Sequence, residues 1–382
     1  MHPFASAAAL MVVLVLPILQ GCGVSLPRTM SGPPLVLLPA SAAGISNQRA
    51  RFREIFCAVL AAKPDAAALP RSDADRNTAT DRPANCDRFL QRLDGEAAAS
   101  GETVHLGPPR LRLRVLLVPG FGSDCFAGIA PVLADAERAL GEAGYPASSV
   151  PVRGLGSTAS NATIVRDAVM SADLREDERI LLLGYSKGAI DILETVATYP
   201  EVLPRLAAVV SLAGAIGGSA LADTEDEGFA KSVDRLPGTR CQPSDHGAVA
   251  SLKRDVRQRW LAEHPMPATL PAFSAGAFTS REKVSLPLRP YWDRLARLDP
   301  RNDGQVVFHD QILPGSALLG YADADHWSIA LSIARDHPML SNVLDVEDFP
   351  RVAFVEAIVR FVEEQLMARR GPAASKRVPP RR

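Results

Sequence analysis

A serine stands between two glycines in the segment Gly184-Tyr185-Ser186-Lys187-Gly188. The apolar residues 180–183 before it predict a strand, and residues 189–198 after it predict a helix. A Gly-x-Ser-x-Gly turn between a strand and a helix presents a nucleophilic serine above the edge of a sheet. Glycines suit this turn because neighbouring backbone comes close to both positions. The segment therefore predicts Ser186 as a nucleophile, and the alternative is an ordinary strand-to-helix turn.

A serine hydroxyl needs a base to activate it. His326 follows the strand predicted over residues 316–321, where a base could reach the carboxyl edge of the sheet. The other six histidines are placed less well for this role. His2 lies in the leading segment and His105 ahead of the sheet, while His246 and His264 lie in a long insertion. His309 falls in a predicted strand, and His337 precedes a proline. We therefore expect His326 to be the base.

The base needs an acid that orients it. Three aspartates between the serine and the histidine compete for this role: Asp299, Asp303 and Asp310. Asp303 lies in Asn302-Asp303-Gly304, a turn-forming sequence that leaves the carboxylate on a loop. Asp325 is a poor choice because an immediate neighbour of His326 cannot easily turn back onto its ring. The sequence favours Asp303, and the alternative is an aspartate that only shapes the turn.

A strand predicted over residues 111–118 runs into Pro119-Gly120-Phe121-Gly122. The glycines allow a main-chain N–H to turn toward the serine, unless this segment is a simple strand-ending turn. The N–H groups of Phe121 and Lys187 are the candidate donors to an oxyanion. We expect Lys187 to contribute this amide while its ammonium group stays in solvent.

Four motifs follow one another in the order Pro119-Gly120-x-Gly122, Gly184-x-Ser186-x-Gly188, Asn302-Asp303-Gly304 and Asp325-His326. This ordered set resembles the α/β-hydrolase superfamily, especially its bacterial lipases and esterases, over residues 111–366. The resemblance implies ester cleavage by a triad of Ser186, Asp303 and His326, with Phe121 and Lys187 as oxyanion donors. Two features depart from the family: Pro119-Gly120 stands where His-Gly is common, and the residues before the sheet match nothing in it.

Apolar segments without alternation are separated by amphipathic ones, which predicts a mostly parallel central sheet with helices on both faces. Further strands are predicted over residues 150–152, 207–212 and 271–275, and further helices over 131–142, 161–172 and 348–367. Residues 214–270 break the alternation and predict a cap insertion with a helix over 249–263. These elements predict an α/β domain, and the resemblance implies that it is an α/β-hydrolase fold with a cap insertion and an N-terminal extension.

The chain divides into five predicted parts. These are a signal peptide (1–21), a tether (22–46), an N-terminal helical extension (47–102), the hydrolase domain (103–368) and a basic disordered tail (369–382). The extension carries a helix predicted over 47–63 and a short one over 87–93. No chemistry can be assigned to the extension from its residues.

The apolar run over residues 5–19 has the length of a signal-peptide core and is too short for a stable membrane span. It ends in Leu19-Gln20-Gly21-Cys22, which resembles a bacterial lipoprotein cleavage box. The resemblance implies a lipid anchor on Cys22 and a place in the cell envelope, facing the periplasm or in the outer membrane. The alternative is an ordinary secretory signal.

Four cysteines remain after Cys22, and an oxidising compartment favours disulfides among them. Three pairings are possible, and sequence alone cannot choose among them. We favour Cys57 with Cys86, inside the extension, and Cys125 with Cys241, between two later loops. No Cys-x-x-Cys or histidine cluster suggests a zinc site, and the predicted chemistry requires no cofactor.

Composition narrows the function further. The 42 basic and 43 acidic residues leave a net charge of −1, so no global charge favours nucleic acid. Hydrophobic residues at 47% and charged residues at 22% fit a soluble folded protein. Two alternatives stay open. One is the same triad in a thioesterase, amidase, polyester depolymerase or acyltransferase. The other is a non-catalytic envelope lipoprotein that uses the fold for binding, which the complete set of triad residues disfavours.

Overall fold

The computed structural model describes residues 43–63, 86–128, 130–225, 227–235, 239–332 and 349–370. The predicted signal peptide, Cys22, nearly all of the tether, His337 and the tail beyond Arg370 lie outside these ranges. In the described part the strands are β1 (Ser46–Asn47), β2 (Leu113–Val118), β3 (Ala147–Ser149), β4 (Arg179–Tyr185), β5 (Leu206–Leu212), β6 (Ala272–Ala277) and β7 (Ala317–Ala322). They form one parallel sheet in the order β1-β7-β6-β5-β4-β2-β3.

The helices of the described ranges are α1 (Arg49–Ala62), α2 (Ala134–Glu142), α3 (Thr158–Ser171), α4 (Lys187–Thr198), α5 (Glu227–Asp234), α6 (Ala248–Ser251), α7 (Arg254–Glu263), α8 (Arg289–Leu295) and α9 (Arg351–Arg370). Helices α1, α2 and α9 cover one face of the sheet, and α3 and α4 cover the other. Within β4, Leu181 and Leu183 face the first layer while Ile180 and Leu182 face the second. Both faces need apolar side chains, which explains the uninterrupted apolar run. The predicted central parallel sheet with helices on both faces is confirmed.

Residues at the start of the predicted N-terminal extension pack against the sheet. Strand β1 pairs with β7 at the sheet edge, with Ser46 opposite Ala317. Helix α1 packs on α9, and the rings of Phe52 and Phe56 meet Phe354 edge to face at 5.4 and 5.7 Å between centroids. These rings are fully buried in the same core as the central strands. The apolar face of α1 therefore completes the main hydrophobic core.

Several boundaries differ from the predictions. The strand expected over 150–152 lies at Ala147–Ser149, and Val150 and Val152 are buried just beyond its end. The helix expected over 249–263 is divided into α6 and α7 by the extended backbone of Lys253. The short helix expected over 87–93 is a single 3₁₀ turn, Cys86–Phe89. In these cases the spacing of apolar residues indicates which side chains are buried, whereas backbone hydrogen bonds determine where a helix or strand begins and ends.

Helices α5, α6 and α7 lie between β5 and β6, inside the predicted cap segment of residues 214–270. The described residues form two disulfides, and these join the pairs that the sequence favours. Cys57–Cys86 links α1 to the 3₁₀ turn, and Cys125–Cys241 links the loop after β2 to the cap segment. Among the described helices, none is both long and apolar enough to cross a membrane.

Candidate active site

Ser186 lies at the junction of β4 and α4 with φ 56° and ψ −125°. This left-handed backbone is strained for a residue with a side chain. The turn is held because the Ser186 N–H donates to the Leu212 carbonyl at 3.1 Å and the Ser186 carbonyl accepts from the Ala215 N–H at 3.1 Å. The neighbouring strand β5 and the loop after it therefore fix the serine at the carboxyl edge of the sheet.

The two flanking glycines are required by close backbone contacts. A Cβ atom at Gly184 would lie 2.5 Å from the Ala189 nitrogen. One at Gly188 would lie 1.9 Å from the Val118 carbonyl oxygen. Neither backbone can move away without displacing a central strand or the start of α4. The Gly-x-Ser-x-Gly spacing is thus a packing requirement of this junction.

The structure brings the three predicted triad side chains together. His326 Nε2 lies 2.8 Å from Ser186 Oγ, and His326 Nδ1 lies 2.6 Å from Asp303 Oδ2. The exposed fractions are 8% for Ser186, 2% for His326 and 0% for Asp303. The histidine can therefore accept a proton from the serine while its other nitrogen donates to the carboxylate.

Main-chain groups hold the Asp303 carboxylate from the other side. Its Oδ1 accepts from the N–H groups of Gln305 and Val306 at 2.8 and 2.7 Å. The Asp303 carbonyl accepts from the His326 N–H at 2.8 Å, so backbone and side chain both join these two residues. These hydrogen bonds fix the orientation of the carboxylate toward the imidazole.

Gln311 is a site residue that the sequence analysis missed. Its fully buried amide donates to Asp303 Oδ2 at 3.2 Å and to the Ala277 carbonyl at 2.8 Å. Its Oε1 accepts from the Ala277 N–H at 2.6 Å. The region around His309 was expected to be a strand, but it is the 3₁₀ turn Phe308–Gln311, which directs Gln311 inward. The only sequence signal for Gln311 is a polar residue three positions after Phe308, which does not indicate a role.

The competing aspartates have other partners in the described structure. Asp299 forms an ion pair with Arg301 at 2.6 Å. Asp325 accepts from the N–H groups of Trp327 and Ser328 at 3.0 and 2.7 Å, and so shapes the turn after β7. The Asp310 carboxylate lies near the cap segment, where a Cβ atom on Gly217 would be 2.4 Å from its Oδ1. Only Asp303 among these four reaches the His326 ring in the described contacts.

The candidate oxyanion donors belong to two residues near the serine. Gly120 is in contact with Ser186, and Phe121 follows Gly120 directly. The main-chain N–H groups of Phe121 and Lys187 donate to no described protein group. Lys187 is the first residue of α4, where helix N–H groups have no intrahelical acceptor. Both N–H groups are therefore free to bind a developing negative charge near Ser186.

The expectation that the Lys187 ammonium stays in solvent is wrong. The side chain is fully buried, and its Nζ lies 2.7 and 3.0 Å from the two carboxylate oxygens of Asp191. Asn161 on α3 donates to Asp191 Oδ2 at 2.8 Å. Packing of α3 on α4 closes this helix face, and the aspartate one turn along the helix supplies the counter-charge that burial requires.

The Tyr185 side chain contacts both the backbone and the ring of His326. Its hydroxyl donates to the His326 carbonyl at 2.5 Å, and the two rings lie 5.1 Å apart. Burial, together with the charges of Asp303 and Asp325, raises the pKa of Tyr185 well above its ordinary value of 10. The phenol therefore stays protonated and keeps donating. No group of three or more His, Cys, Asp or Glu side chains in the described ranges is placed to hold a metal ion.

Comparisons with known proteins were made by sequence and by structure. No family model and no curated protein matches the chain. The metagenomic carboxyl esterase MGS0156 is similar in structure with a TM-score of 0.78 and 39% identity, covering 87% of this chain and 97% of its own.

Two more distant structures show lower similarity. The mature lipase BlEst2 of Bacillus licheniformis has 20% identity and a TM-score of 0.48, covering 64% of this chain and 96% of its own. The type II thioesterase YbtT of the yersiniabactin pathway has 15% identity and a TM-score of 0.32, with coverage of 64% and 96%. Identity and coverage with the metagenomic esterase are high enough to assign the family: this chain belongs to the α/β-hydrolase family of that carboxyl esterase.

Proposed function

We propose that this protein is a serine hydrolase that cleaves carboxylic esters through an acyl-enzyme on Ser186. The observation that carries the proposal is the double hydrogen bond of His326, to Ser186 Oγ at 2.8 Å and to Asp303 Oδ2 at 2.6 Å. This arrangement supports His326 as the base for Ser186 and Asp303 as the acid that orients His326. The similarity to a carboxyl esterase supports an ester as the substrate.

In the proposed reaction Ser186 Oγ attacks the ester carbonyl carbon, and its proton passes to His326 Nε2. The main-chain N–H groups of Phe121 and Lys187 bind the oxyanion of the tetrahedral intermediate. Collapse of the intermediate expels the alcohol, which takes the proton from His326. Water then attacks the acyl-enzyme with His326 as base, and the carboxylic acid leaves. Asp303 holds the imidazole throughout and stabilises its charged form.

The cap segment is proposed to limit the size of the substrate. Ser186 is only 8% exposed, so substrate must approach past neighbouring side chains. Phe229 on α5 stacks on Phe121 with 6.1 Å between ring centroids. Because Phe121 carries one proposed oxyanion donor, an apolar group bound beside it would lie near the reacting carbonyl. An ester with an apolar acyl or alcohol group fits this surface best.

The protein is also proposed to be a lipoprotein of the bacterial cell envelope, anchored through Cys22. The cleavage-box resemblance of Leu19-Gln20-Gly21-Cys22 supports this. Two disulfides in the folded part are consistent with an oxidising compartment. Metabolic labelling with an alkyne fatty acid, compared between the native sequence and Cys22→Ala, tests the anchor. Equal labelling of both would contradict it.

The test of the function compares Ser186→Ala with the native protein on p-nitrophenyl esters of short and long acyl chains. Ser160→Ala, at an exposed position on α3, is the matched control. We expect Ser186→Ala to lose turnover while its thermal unfolding transition is retained, and Ser160→Ala to keep both. Turnover retained in Ser186→Ala would contradict the proposal. Parallel thioester, amide and polyester substrates, and an added alcohol acceptor, separate ester hydrolysis from the related reactions that use the same triad.

A further inference from the structure

The oxyanion loop, residues 119–126, is attached to the cap segment at three successive points. The first is the stack of Phe121 on Phe229, with 6.1 Å between ring centroids and 23° between ring planes. Phe229 belongs to α5 and is 37% exposed. The residue that offers a proposed oxyanion donor therefore has an aromatic neighbour from the cap.

The second attachment is the carboxylate of Asp124. Its Oδ2 accepts from the Gln242 N–H of the cap segment at 2.8 Å. Its Oδ1 accepts from the Gly154 N–H at 2.8 Å. The Gly154 carbonyl in turn accepts from the Gly122 N–H at 3.1 Å. One carboxylate thus bridges the cap to the backbone that holds the oxyanion loop.

The third attachment is the disulfide between Cys125 and Cys241. The Cys125 carbonyl also accepts from the Arg240 N–H at 3.1 Å. Residues 240–242 of the cap therefore bind two adjacent residues of the oxyanion loop through main-chain, side-chain and covalent links. Cys125 is 3% exposed, so this junction is packed as well as bonded.

We propose that Asp124 and the Cys125–Cys241 disulfide are positioning residues, which hold the Phe121 N–H at the oxyanion through the cap. The inference rests on the proposed ester hydrolysis. An oxyanion donor acts on charge that develops in the transition state, so loosening it lowers kcat and leaves KM nearly unchanged. Removing one donor entirely costs roughly 10²–10³-fold in kcat, and a loosened donor costs on the order of 10-fold.

The disulfide also makes the activity sensitive to thiol reductants. A dithiol attacks one Sγ atom and breaks the Sγ–Sγ bond through a mixed disulfide. Two electrons and two protons pass from the dithiol to the two cysteines, which become thiols, and the dithiol becomes a cyclic disulfide. The attachments through Asp124 and Phe229 remain, so the loop loosens while the fold persists.

The other disulfide provides a matched control. Cys57–Cys86 joins α1 to a 3₁₀ turn, and α1 packs on α9 beneath the sheet. It makes no described contact with the oxyanion loop or the cap segment. Its removal lowers stability by the same kind of chain-entropy effect but leaves the oxyanion loop in place.

The experiment measures kcat and KM on p-nitrophenyl butyrate before and after treatment with a dithiol, and it counts the thiols that the treatment releases. The proteins compared are the native protein, Cys125→Ser/Cys241→Ser, Cys57→Ser/Cys86→Ser and Asp124→Asn. Asn at position 124 keeps one acceptor oxygen but cannot accept from both N–H groups. Asp177→Asn, at an exposed surface pair, is its control.

We expect kcat to fall about 10-fold in Cys125→Ser/Cys241→Ser and in Asp124→Asn, with KM changed less than about 2-fold. The Cys57→Ser/Cys86→Ser variant should keep the native kcat, and its kcat should fall about 10-fold only when the dithiol is added. An unchanged kcat in Asp124→Asn, or equal losses in the two cysteine variants, would overturn the inference. If the cysteine variants do not fold, Asp124→Asn decides. A native protein without esterase turnover would instead contradict the proposed function.

Discussion

Gly120 and Ser186 are in direct contact: a Cβ atom on Gly120 would lie 2.7 Å from Ser186 Cβ and 3.2 Å from Ser186 Oγ. It would also lie 3.1 Å from the Tyr185 carbonyl oxygen. The oxyanion loop therefore passes the nucleophile at a distance that excludes any side chain. The contact explains why a glycine is needed before Phe121.

Gly120→Ala should lower kcat by about 100-fold, because the new methyl group displaces either the serine or the loop by a large fraction of an ångström. Gly128→Ala is the control, since a Cβ atom there has no neighbour within 4 Å. Steady-state kinetics on a p-nitrophenyl ester, with thermal unfolding of both variants, measures the effect. A Gly120→Ala variant as active as Gly128→Ala would show that the loop does not need this approach.

Asp303→Asn should lower kcat by roughly 10⁴-fold, because an amide cannot hold the imidazole tautomer or stabilise the imidazolium. Asp299→Asn is the matched control, since Asp299 pairs with Arg301 and lies outside the hydrogen bonds of His326. We expect Asp299→Asn to stay within a few-fold of the native kcat. If Asp299→Asn lost activity while Asp303→Asn kept it, the orienting acid would be Asp299 and not Asp303.

Asp191→Asn should lower the free energy of unfolding by about 3–5 kcal/mol, because it leaves the buried Lys187 ammonium without a counter-charge. Asp177→Asn is the control, since its pair with Arg112 is 66% and 57% exposed and contributes at most about 1 kcal/mol. Urea unfolding measures both. The double variant Lys187→Met/Asp191→Leu should recover most of the loss. Equal, small effects at positions 191 and 177 would mean that the buried pair is not needed for stability.

Asp310 should make stability depend on pH. Burial raises its pKa from the ordinary 3.8 to about 7; Arg254 opposes the shift and Asp223 adds to it. Between pH 4 and 7 the folded state thus holds a proton that the unfolded state has lost, and the free energy of unfolding falls as pH rises through this window.

Asp310→Asn should therefore raise the melting temperature at pH 8, with the free energy of unfolding increased by about 1–3 kcal/mol. At pH 4 the substitution should have little effect. Burial lowers the pKa of the neighbouring His309. Because the variant and the native protein both contain His309, its contribution cancels when their stabilities are compared. Thermal unfolding from pH 4 to pH 8 measures it. A difference that is constant with pH, or that grows toward pH 4, would contradict the assignment.

The central fold was predictable because its signals are local. Apolar strands such as residues 180–183 are buried on both faces, and the turn around Ser186 marks the end of β4. The order of the motifs along the chain was sufficient to select Ser186, Asp303 and His326 before their distances were known. The sequence left three disulfide pairings open, and the structure confirms the favoured one, Cys57–Cys86 and Cys125–Cys241.

The remaining features depend on tertiary contacts. Nothing near Lys187 in the sequence shows that α3 covers its side chain, although Asp191 stands one turn along the helix. Gln311 and Asp124 act through backbone groups from other segments, and such partners leave no pattern at either residue. The role of α1 in the core becomes visible only when its apolar face meets α9. Long-range packing decides each of these cases.

The most direct test of the central claim is covalent labelling of the folded protein with a fluorophosphonate probe, followed by peptide mass mapping. An activated serine is phosphonylated when its oxygen attacks phosphorus and expels fluoride, so the account predicts a label on the peptide that contains Ser186. Asp303→Asn should label far more slowly, and Ser186→Ala should not label at that peptide. A folded native protein that takes no label, or takes it at another residue, would contradict the account.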